Sequence, residues 1–373
     1  MNDVAAIIPA AGLSSRMGRF KPLLPLRGGT VLSSCIDVFK ANGIENILVV
    51  TGKRADEVSE AAERSGAVAV YNESYEQGMF SSVMKGLGAL DGVSAFFMLP
   101  VDIPLLRRET VARLLEEFKR CSPTILYPCF LGERGHPPII SRMLLPDIFA
   151  HDGAGGLRTV LDSHESGARD LNVADFGVGH DLDRPADYEL ALSLAGTGYP
   201  CEEECRQLWE MYSLPSDIIR HCQAVSSVAE ALVDNLNTRG GKSLLDPALV
   251  RGAALTHDIG KGSKRHEAEG AEYLHTHGFH VAAEIVLEHS DLVLEPDAPI
   301  TEKEVVFLAD KLVQGERPSL LKSRYMAKMD LYGHEPDAKQ AILGRLTRAQ
   351  SVLVRFDREM TVSAERLARE VLG

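Results

Sequence analysis

The stretch 9-PAAGLSSRMGRFKPLLPL-26 decides how the first half of the chain is interpreted. The apolar run Ala5 to Pro9 before it has the composition of a buried strand, and Thr30 to Asn42 after it has helical spacing. Backbone N–H groups of a glycine-containing loop between a strand and a helix converge on phosphate, and Arg16 and Lys21 add positive charge. The stretch lacks the G-K-S/T ending of a P-loop and the G-x-G-x-x-G of a dinucleotide fold. An ordinary strand-to-helix turn with solvated basic residues is the alternative interpretation.

The alternation of short apolar runs and helical stretches continues to about Leu194. Further strands are expected at Ile47 to Thr51, Val68 to Tyr71 and Ala95 to Leu99, and further helices at Ala55 to Ser65, Ser81 to Leu90 and Thr110 to Arg120. This rhythm predicts an α/β domain with a mostly parallel, Rossmann-like sheet. After Gly196 to Pro200 the pattern becomes helical throughout, which predicts a second, all-α domain. We place the domains at 1–196 and 202–335, with residues 336–373 as C-terminal helices packed on the second.

Composition narrows the function classes. The chain has 373 residues, 45% of them apolar, with six cysteines and a formal net charge of −13. The acidic balance argues against nonspecific nucleic-acid binding, and no apolar stretch is long enough for a membrane helix. The N-terminus lacks the basic segment of a signal peptide, so a cytoplasmic protein is expected. Cys201 and Cys205 have three residues between them rather than the two of common zinc motifs, so they are interpreted as two thiols at a helix start.

The opening stretch belongs to a longer pattern. Ala10-Ala11-Gly12-x-Ser14-x-Arg16-Met17-Gly18-x-x-Lys21 is similar to the signature of the MobA-like NTP transferases, especially the molybdenum cofactor cytidylyltransferases. The resemblance continues through Glu76 to Ser82, Leu99 to Pro104, Arg134 to Pro138 and Asp181 to Tyr188. It therefore covers almost all of the first half and implies a nucleotidyltransferase fold.

The resemblance also implies roles for individual residues. The triphosphate-binding loop would comprise Ala10, Ala11, Gly12, Leu13, Ser14, Ser15, Arg16, Met17 and Gly18, with Arg16 and Lys21 neutralising the phosphates. Asp102 and Asp181 would bind Mg²⁺. The position of Asp102 just after a buried strand fits this role, because ligand sites form where such strands end. A turn carboxylate at Asp102 and a helix cap at Asp181 are the structural alternatives.

Base and acceptor follow from the same resemblance. In the family, Ala-Ala-Gly at residues 10–12 accompanies cytidine enzymes more than guanosine enzymes, so CTP is favoured over GTP. The base is expected to meet Gly78, Ser81 and Ser82. His136 and Arg158 are expected to hold a phosphorylated, pterin-type acceptor, although His136 is equally well a turn residue. A molybdoenzyme would receive the product.

The second half carries a different pattern. His221, the pair His257-Asp258 and Asp310 resemble the ligands of HD-domain phosphohydrolases, and each stands beside apolar residues at helical spacing. His266 and His289 fall where two-metal members of that superfamily have ligands. One or two divalent metals, Mn, Fe or Zn, are therefore expected, with Asp258 as a bridging ligand and Lys261 beside the substrate phosphate. Arg317 and Arg324 either meet substrate phosphates or lie on an exposed helix face.

Together these patterns predict a Mg²⁺-dependent nucleotidyltransferase joined to an HD-type metal phosphohydrolase that acts on a nucleotide or phosphate ester. Three alternatives stay open. In the first, the acceptor of the first domain is a sugar phosphate or another alcohol phosphate. In the second, the first domain binds a nucleotide-bearing cofactor for delivery without catalysis, and in the third the HD domain is a regulatory nucleotide sensor.

Overall fold

The computed structural model describes residues 4–12, 17–238, 245–292 and 298–373. The loop residues Leu13, Ser14, Ser15 and Arg16, for which triphosphate binding is predicted, lie outside the described residues. The chain divides into two compact units, the first ending at Thr197 and the second beginning at Gly198. Within the described residues, no helix combines the length and the apolar character needed to cross a membrane.

The first unit is built on one mixed, mostly parallel sheet. Its described strands are β1 (Val4–Pro9), β2 (Pro25–Leu26), β3 (Gly29–Thr30), β4 (Ile47–Thr51), β5 (Val68–Tyr71), β6 (Ala95–Met98), β7 (Ile125–Phe130), β8 (Glu133–Arg134), β9 (Ile139–Ser141) and β10 (Ala168–Asn172). The sheet order is β10-β7-β9-β6-β1-β4-β5, with β8 paired to β7, while β2 and β3 form a separate hairpin. β9 runs antiparallel to β6 and β7. The α/β, mostly parallel sheet predicted from the sequence is confirmed.

Helices cover both faces of this sheet. They are α1 (Val31–Lys40), α2 (Ala55–Arg64), α3 (Met79–Gly88), α4 (Arg108–Cys121), α5 (Leu145–Ala150), α6 (Gly156–Ser163) and α7 (Pro185–Leu194). Side chains of β1 alternate between two apolar clusters, because successive residues of a strand point to opposite faces. Ala6 and Ile8 pack with α1, α2, α4 and α7, whereas Ala5 and Ile7 pack with α3, α5 and α6. The continuous apolar sequence of β1 is thus explained by burial on both faces.

The direction of strand addition reverses at β1. β4 pairs with β1 on one side, and β6 pairs with it on the other, both in parallel. The loops that leave β1 and β6 therefore diverge and open a crevice at the carboxyl edge of the sheet, the usual ligand position in such folds. Ala10 to Gly12 follow β1, and Asp102 follows β6.

The second unit is predominantly helical, as predicted. Its described helices are α8 (Glu202–Met211), α9 (Ser216–Thr238), α10 (Pro247–Thr256), α11 (His266–Thr276), α12 (His280–Glu288), α13 (Glu302–Leu312), α14 (Leu321–Tyr332), α15 (Pro336–Glu359) and α16 (Ala364–Leu372). A short hairpin joins β11 (Val313–Gln314) to β12 (Arg317–Pro318). α10 is buried over most of its length, so His257 and Asp258, which follow it, lie in the interior.

Side-chain caps mark two helix starts in this unit. The carboxylate of Asp246 accepts hydrogen bonds from the backbone N–H groups of Ala248 and Leu249, at 2.9 and 3.2 Å. Thr301 and Glu304 form a reciprocal capping box at the start of α13. These bonds satisfy N–H groups that have no partner within their own helix.

Candidate functional sites

Lys21 is the central cation of the first site. Its ammonium lies 3.2 Å from Oδ2 of Asp102 and 3.0 Å from Oδ1 of Asp183. Burial alone would lower the pKa of Lys21, but the hydrogen bond to Asp183 and the negative charge of Asp102 outweigh burial and raise it. A cation thus lies between two carboxylates, an arrangement that Mg²⁺ also favours when substrate phosphates complete its shell.

Backbone pairing brings these carboxylates together. The N–H of Val101 donates to the carbonyl of Pro9 at 3.2 Å, which extends the β1–β6 pairing toward Asp102. The N–H of Leu182 donates to the carbonyl of Asp102 at 2.8 Å. This second bond places Asp183 beside Lys21, while Asp181 is exposed and adds negative charge near His136. Asp183 was missed by the sequence analysis, although it stands in the quoted Asp-Leu-Asp segment.

A pocket of about 300 Å³ opens over this cluster. Of the predicted nucleotide-binding residues, Ala11, Gly12, Lys21, Gly78 and Ser82 line it, together with Tyr75, Glu76 and Met79. Ala10 and Met17 are buried in the adjoining core. Gly18 and Gly78 have φ values of +66° and +102°, which L side chains rarely adopt, so glycine suits both turns.

Asn72 organises the loop where the base is expected to bind. Its side-chain amide donates to Ser81 Oγ at 2.9 Å and to Ser82 Oγ at 3.0 Å. Its carbonyl oxygen accepts from the N–H of Ser74, and the Ser81 hydroxyl donates to carbonyls of Ser74 and Gly78. Ser81 is therefore engaged in shaping the loop. No sequence motif marks Asn72, which directly follows the predicted strand Val68 to Tyr71.

A second pocket of about 770 Å³ adjoins the first and shares Pro9 and Met79 with it. His136 and Arg158, the predicted acceptor residues, both line it. Burial lowers the pKa of His136, which keeps its ring neutral near pH 7. Arg158 is largely exposed and lies 3.7 Å from Asp162.

Arg134 is a further polar group of this pocket to which no role was assigned from the sequence. Its guanidinium lies 4.4 Å from the centre of the Tyr127 ring and forms ion pairs with Glu165 and Asp170, at 2.7 and 2.6 Å. These ion pairs hold the guanidinium over the aromatic ring. The pocket therefore combines aromatic and charged walls around one fixed cation.

The second site brings together all six predicted metal ligands. Nε2 of His221 lies 3.3 Å from Asp310, and Nε2 of His257 lies 3.8 Å from Asp258 and 4.0 Å from Asp310. Nε2 of His289 and of His266 lie 3.6 and 3.8 Å from Asp258. Two overlapping triads have donor atoms within 4.8 Å of one another: His221, His257, Asp310 and His257, Asp258, His289.

Gly260 makes this convergence sterically feasible. A Cβ atom at residue 260 would lie 2.2 Å from the carbonyl oxygen of His266 and 2.7 Å from the N atom of Gly270. Only glycine allows the turn after α10 to approach α11 this closely. The close approach brings Asp258 and His266 to the same site.

The donor set fits a metal ion. Nδ1 of His221, His257 and His289 lies 2.9, 2.8 and 2.6 Å from the carbonyl oxygens of Gly315, Ala254 and Val286. A ring that donates from Nδ1 presents the Nε2 lone pair to the site, the usual outer-shell arrangement of metal ligands. Burial lowers the pKa of His257 to about 4, and its Nε2 atom is buried without a hydrogen-bond partner in the described structure. A metal would satisfy that atom.

The two carboxylates are held by cations. Lys311 donates to Oδ2 of Asp310 at 2.6 Å and to the carbonyl of His289 at 3.0 Å. Arg324 donates to the backbone carbonyls of Asp310 and Val313, so it helps to hold the backbone that carries Asp310. The ammonium of Lys261 lies 3.0 Å from Asp258. Burial would raise the pKa of Asp258, but His257, His289 and Lys261 outweigh it and hold that pKa well below its usual range.

The family comparisons agree with this geometry. Residues 6–168 match the family model of the MobA-like NTP transferase domain, and residues 218–314 match that of the HD domain. The chain joins a MobA-like NTP transferase domain to an HD domain. Both predicted domain types are confirmed, and the family matched by the first domain indicates nucleotidyltransferase activity.

Individual relatives match about half of this MobA–HD chain. Molybdenum cofactor cytidylyltransferase of Escherichia coli (strain K12) is 28% identical over 195 residues, which cover 51% of this chain and 96% of that protein. Nicotine blue oxidoreductase of Paenarthrobacter nicotinovorans is 28% identical over 193 residues, covering 48% and 92%. The solved structure of an Rv0371c homologue from Mycobacterium sp. strain JC1 is 30% identical, with a TM-score of 0.46 and coverage of 51% and 96%.

Proposed function

We propose that the first domain transfers CMP from CTP to a phosphorylated, pterin-type acceptor with release of pyrophosphate, in a reaction that requires Mg²⁺. The observation that carries this proposal is the position of Lys21 between Asp102 and Asp183, at the edge where β1 and β6 end. Identity to a cytidylyltransferase and to an oxidoreductase is equal, so similarity alone does not choose the reaction. Carboxylates and a buried lysine are suited to polyphosphate chemistry, which favours the transferase.

The site's residues divide the reaction among them. An oxygen of the acceptor phosphate bonds to the α-phosphorus of the nucleotide, the α–β bridging P–O bond breaks, and pyrophosphate leaves with that oxygen. A phosphate monoester has a second pKa of about 6, so the acceptor is largely ionised at pH 7 and needs no general base. Lys21 would neutralise charge on the phosphates, while Asp102 and Asp183 would hold Mg²⁺. When bound, Mg²⁺ orients the triphosphate and offsets its charge.

The acceptor assignment rests on the larger pocket. Tyr127 and Phe80 provide aromatic surface there, and His136 and Arg134 provide polar groups. A flat heterocycle with a phosphate arm suits such walls, and the name of the E. coli relative specifies a molybdenum cofactor acceptor. A molybdoenzyme would then take up the product. A sugar phosphate is the second candidate acceptor, since the polar groups of this pocket would also suit a phosphorylated sugar.

We further propose that the HD domain hydrolyses a phosphate ester or anhydride. Its residues His221, His257, Asp258, His266, His289 and Asp310 would hold one or two divalent metals of the Mn, Fe or Zn type. When bound, the metal polarises the phosphate and supplies the Lewis acid for attack by water. The water oxygen bonds to phosphorus, the ester P–O bond breaks, and the leaving oxygen takes a proton. Lys261 now forms an ion pair with Asp258, and it would break this pair in order to contact the substrate phosphate.

The transferase proposal is tested with a panel of nucleotides and acceptors. Pyrophosphate release is measured with CTP, GTP and UTP, each with molybdenum-loaded pterin and with a set of sugar phosphates. Release that requires the pterin and CTP supports the proposal. Release with a sugar phosphate alone reassigns the acceptor, and tight nucleotide binding without release indicates a delivery protein.

The HD proposal is tested separately with a general phosphatase substrate such as p-nitrophenyl phosphate. Activity is measured with Mn²⁺, Fe²⁺ or Zn²⁺, after chelation, and in the variant His257→Ala. Metal-dependent hydrolysis that His257→Ala removes supports the proposal. Metal binding without hydrolysis of any phosphate compound indicates a regulatory sensor.

A further inference from the structure

A cleft of about 400 Å³ lies beside the HD metal-ligand cluster and has α14 as one wall. Four residues of α14 line it: Arg324, Ala327, Lys328 and Leu331. Their spacing of three and four residues puts them on one face of the helix. His221, Asp258 and Lys261 also line the cleft, so it leads directly to the predicted metal ligands.

Lys328 has no anionic partner among the described residues. Its ammonium makes neither a hydrogen bond nor an ion pair there, and its aromatic contact is with the Tyr325 ring, at 5.7 Å. Partial desolvation lowers the pKa of Lys328, and the positive charges of Arg324 and Lys311 lower it further. The nearby carboxylate of Asp310 is already bound by Lys311. An anionic group entering the cleft would therefore meet uncompensated positive charge.

The carboxylates that line the cleft do not neutralise Lys328. Glu316 forms an ion pair with Arg220 at 2.6 Å, and Asp217 also lies within electrostatic reach of Arg220. Asp258 pairs with Lys261 at 3.0 Å. The acidic side chains of the cleft thus have other cationic neighbours.

Helix geometry orders the groups along α14. Arg324 contacts the carbonyl of Asp310 and so marks the end next to the metal ligands. Lys328 follows one turn later, about 6 Å further along the axis, and Leu331 about 4.5 Å beyond that. Leu331 is 65% exposed, and Ile218 is a second apolar residue of the lining. From the metal ligands outward, a bound substrate would therefore contact the ligand cluster, then the Lys328 ammonium, and then the apolar surface.

We infer that α14 makes the HD site selective for organic diphosphates, with Lys328 as the residue that binds the second phosphate. The terminal phosphate would lie at the metal ligands and the organic group against Leu331 and Ile218. This inference rests on the hydrolytic function proposed above. The site would distinguish nucleoside diphosphates from two other classes of compound. Monophosphates lack the second anionic group, and inorganic pyrophosphate lacks the apolar group.

The corresponding reaction is hydrolysis of the anhydride. The oxygen of one water molecule bonds to the terminal phosphorus, and the bridging P–O bond breaks. The bridging oxygen stays with the organic monophosphate, whose phosphate Lys328 contacts. Inorganic phosphate is the other product, and the protons of the water are distributed between the two phosphates and the solvent. No co-reactant besides water is consumed.

The test compares full-length wild type, Lys328→Met and Lys322→Met in the presence of Mn²⁺. Lys322 lies on the same helix and is exposed, but it does not line the cleft, so it is a matched control. Phosphate release is measured from ADP, CDP, GDP, UDP, the four monophosphates and inorganic pyrophosphate. We expect wild type and Lys322→Met to show a kcat/KM about tenfold higher for the best diphosphate than for its monophosphate or pyrophosphate.

Lys328→Met should reduce that ratio to about twofold, through a lower kcat/KM for the diphosphate. A diphosphate preference that survives Lys328→Met, or a wild-type preference for monophosphates, overturns the inference and leaves the hydrolytic function standing. If wild type hydrolyses none of these compounds, the hydrolytic proposal fails for them, and calorimetric titration with the same diphosphates decides the inference. Wild type and Lys328→Met have the same transferase site, so any difference between their titrations comes from the HD site. Loss of one binding event in Lys328→Met supports the inference, and identical titrations of the two proteins overturn it.

Discussion

At the scale of single residues, the backbone decides which atoms of the HD site face a metal. Three of its histidines donate from Nδ1 to carbonyls of their own or a neighbouring segment, which leaves Nε2 for coordination. Lys311 does the same for Asp310, because it holds Oδ2 and leaves Oδ1 toward His221 and His257. The residue types of this cluster were predictable from the sequence. The positioning role of Lys311 was not, since a lysine after an aspartate is ordinarily a solvated side chain.

Replacement of Lys311 tests that positioning role. We expect Lys311→Met to weaken metal binding by about tenfold or more, as loss of an outer-shell partner commonly does, measured by titration of the chelator-treated protein with Mn²⁺. Lys303→Met is the control, because Lys303 lies on the same helix and pairs with Glu288 outside the site. Equal affinity in both variants, with unchanged thermal unfolding, would show that Asp310 needs no such support.

The two aspartates of the Asp-Leu-Asp segment provide a matched pair for the first site. Asp183→Asn should reduce pyrophosphate release about 100-fold, because it removes a carboxylate that lies 3.0 Å from Lys21. Asp181→Asn should reduce it less than about fivefold, since Asp181 is exposed and acts on the site through its charge near His136. Steady-state kinetics at several Mg²⁺ concentrations measures both. A larger effect of Asp181→Asn would assign the metal-ligand role to Asp181, as the sequence alone predicted.

At the scale of elements, the sequence predicts what burial and capping dictate. β1, β4 and β6 are continuous apolar runs because helices cover both faces of the sheet, and α13 begins at its capping box. The short strands β8 and β9 escape such analysis. β8 holds two residues and pairs with β7 across a two-residue turn, whereas β9 holds three residues and pairs with the distant strand β6 as well as with β7. Convergence of Asp183 on Lys21 likewise depends on a pairing 80 residues apart in the sequence, between Leu182 and Asp102.

The cap of α10 is expected to be important for stability, because His257 and Asp258 directly follow that helix. Asp246→Ala should lower the free energy of unfolding by about 1–2 kcal/mol, since it leaves two backbone N–H groups without their carboxylate acceptor. The control Asp234→Ala, on the exposed face of α9, should change it by less than about 0.5 kcal/mol. Urea unfolding measures both. Equal values would mean that the cap contributes nothing beyond an exposed aspartate.

At the scale of the whole molecule, two compact units carry two different chemistries. The first holds the carboxylate–lysine cluster, and the second holds the histidine-rich cluster. The change of sequence rhythm after Gly196 is a sufficient signal for this division, because parallel α/β sheets and helical bundles have different apolar periodicities.

To test whether the two units act independently, each of two variants is measured in both assays. Asp102→Asn should abolish pyrophosphate release and leave phosphate hydrolysis intact, whereas His257→Ala should do the reverse. Each variant is also checked for unchanged thermal unfolding. If a folded variant lost both activities, the two sites would not act separately.

The most direct measurement is pyrophosphate release from CTP and from GTP, with Mg²⁺ and molybdenum-loaded pterin, by wild type and Asp102→Asn. We predict release that depends on CTP, Mg²⁺ and the pterin and that falls to background in Asp102→Asn. Absence of release with either nucleotide, or release that Asp102→Asn leaves unchanged, would contradict the assignment of this cluster as a cytidylyltransferase site.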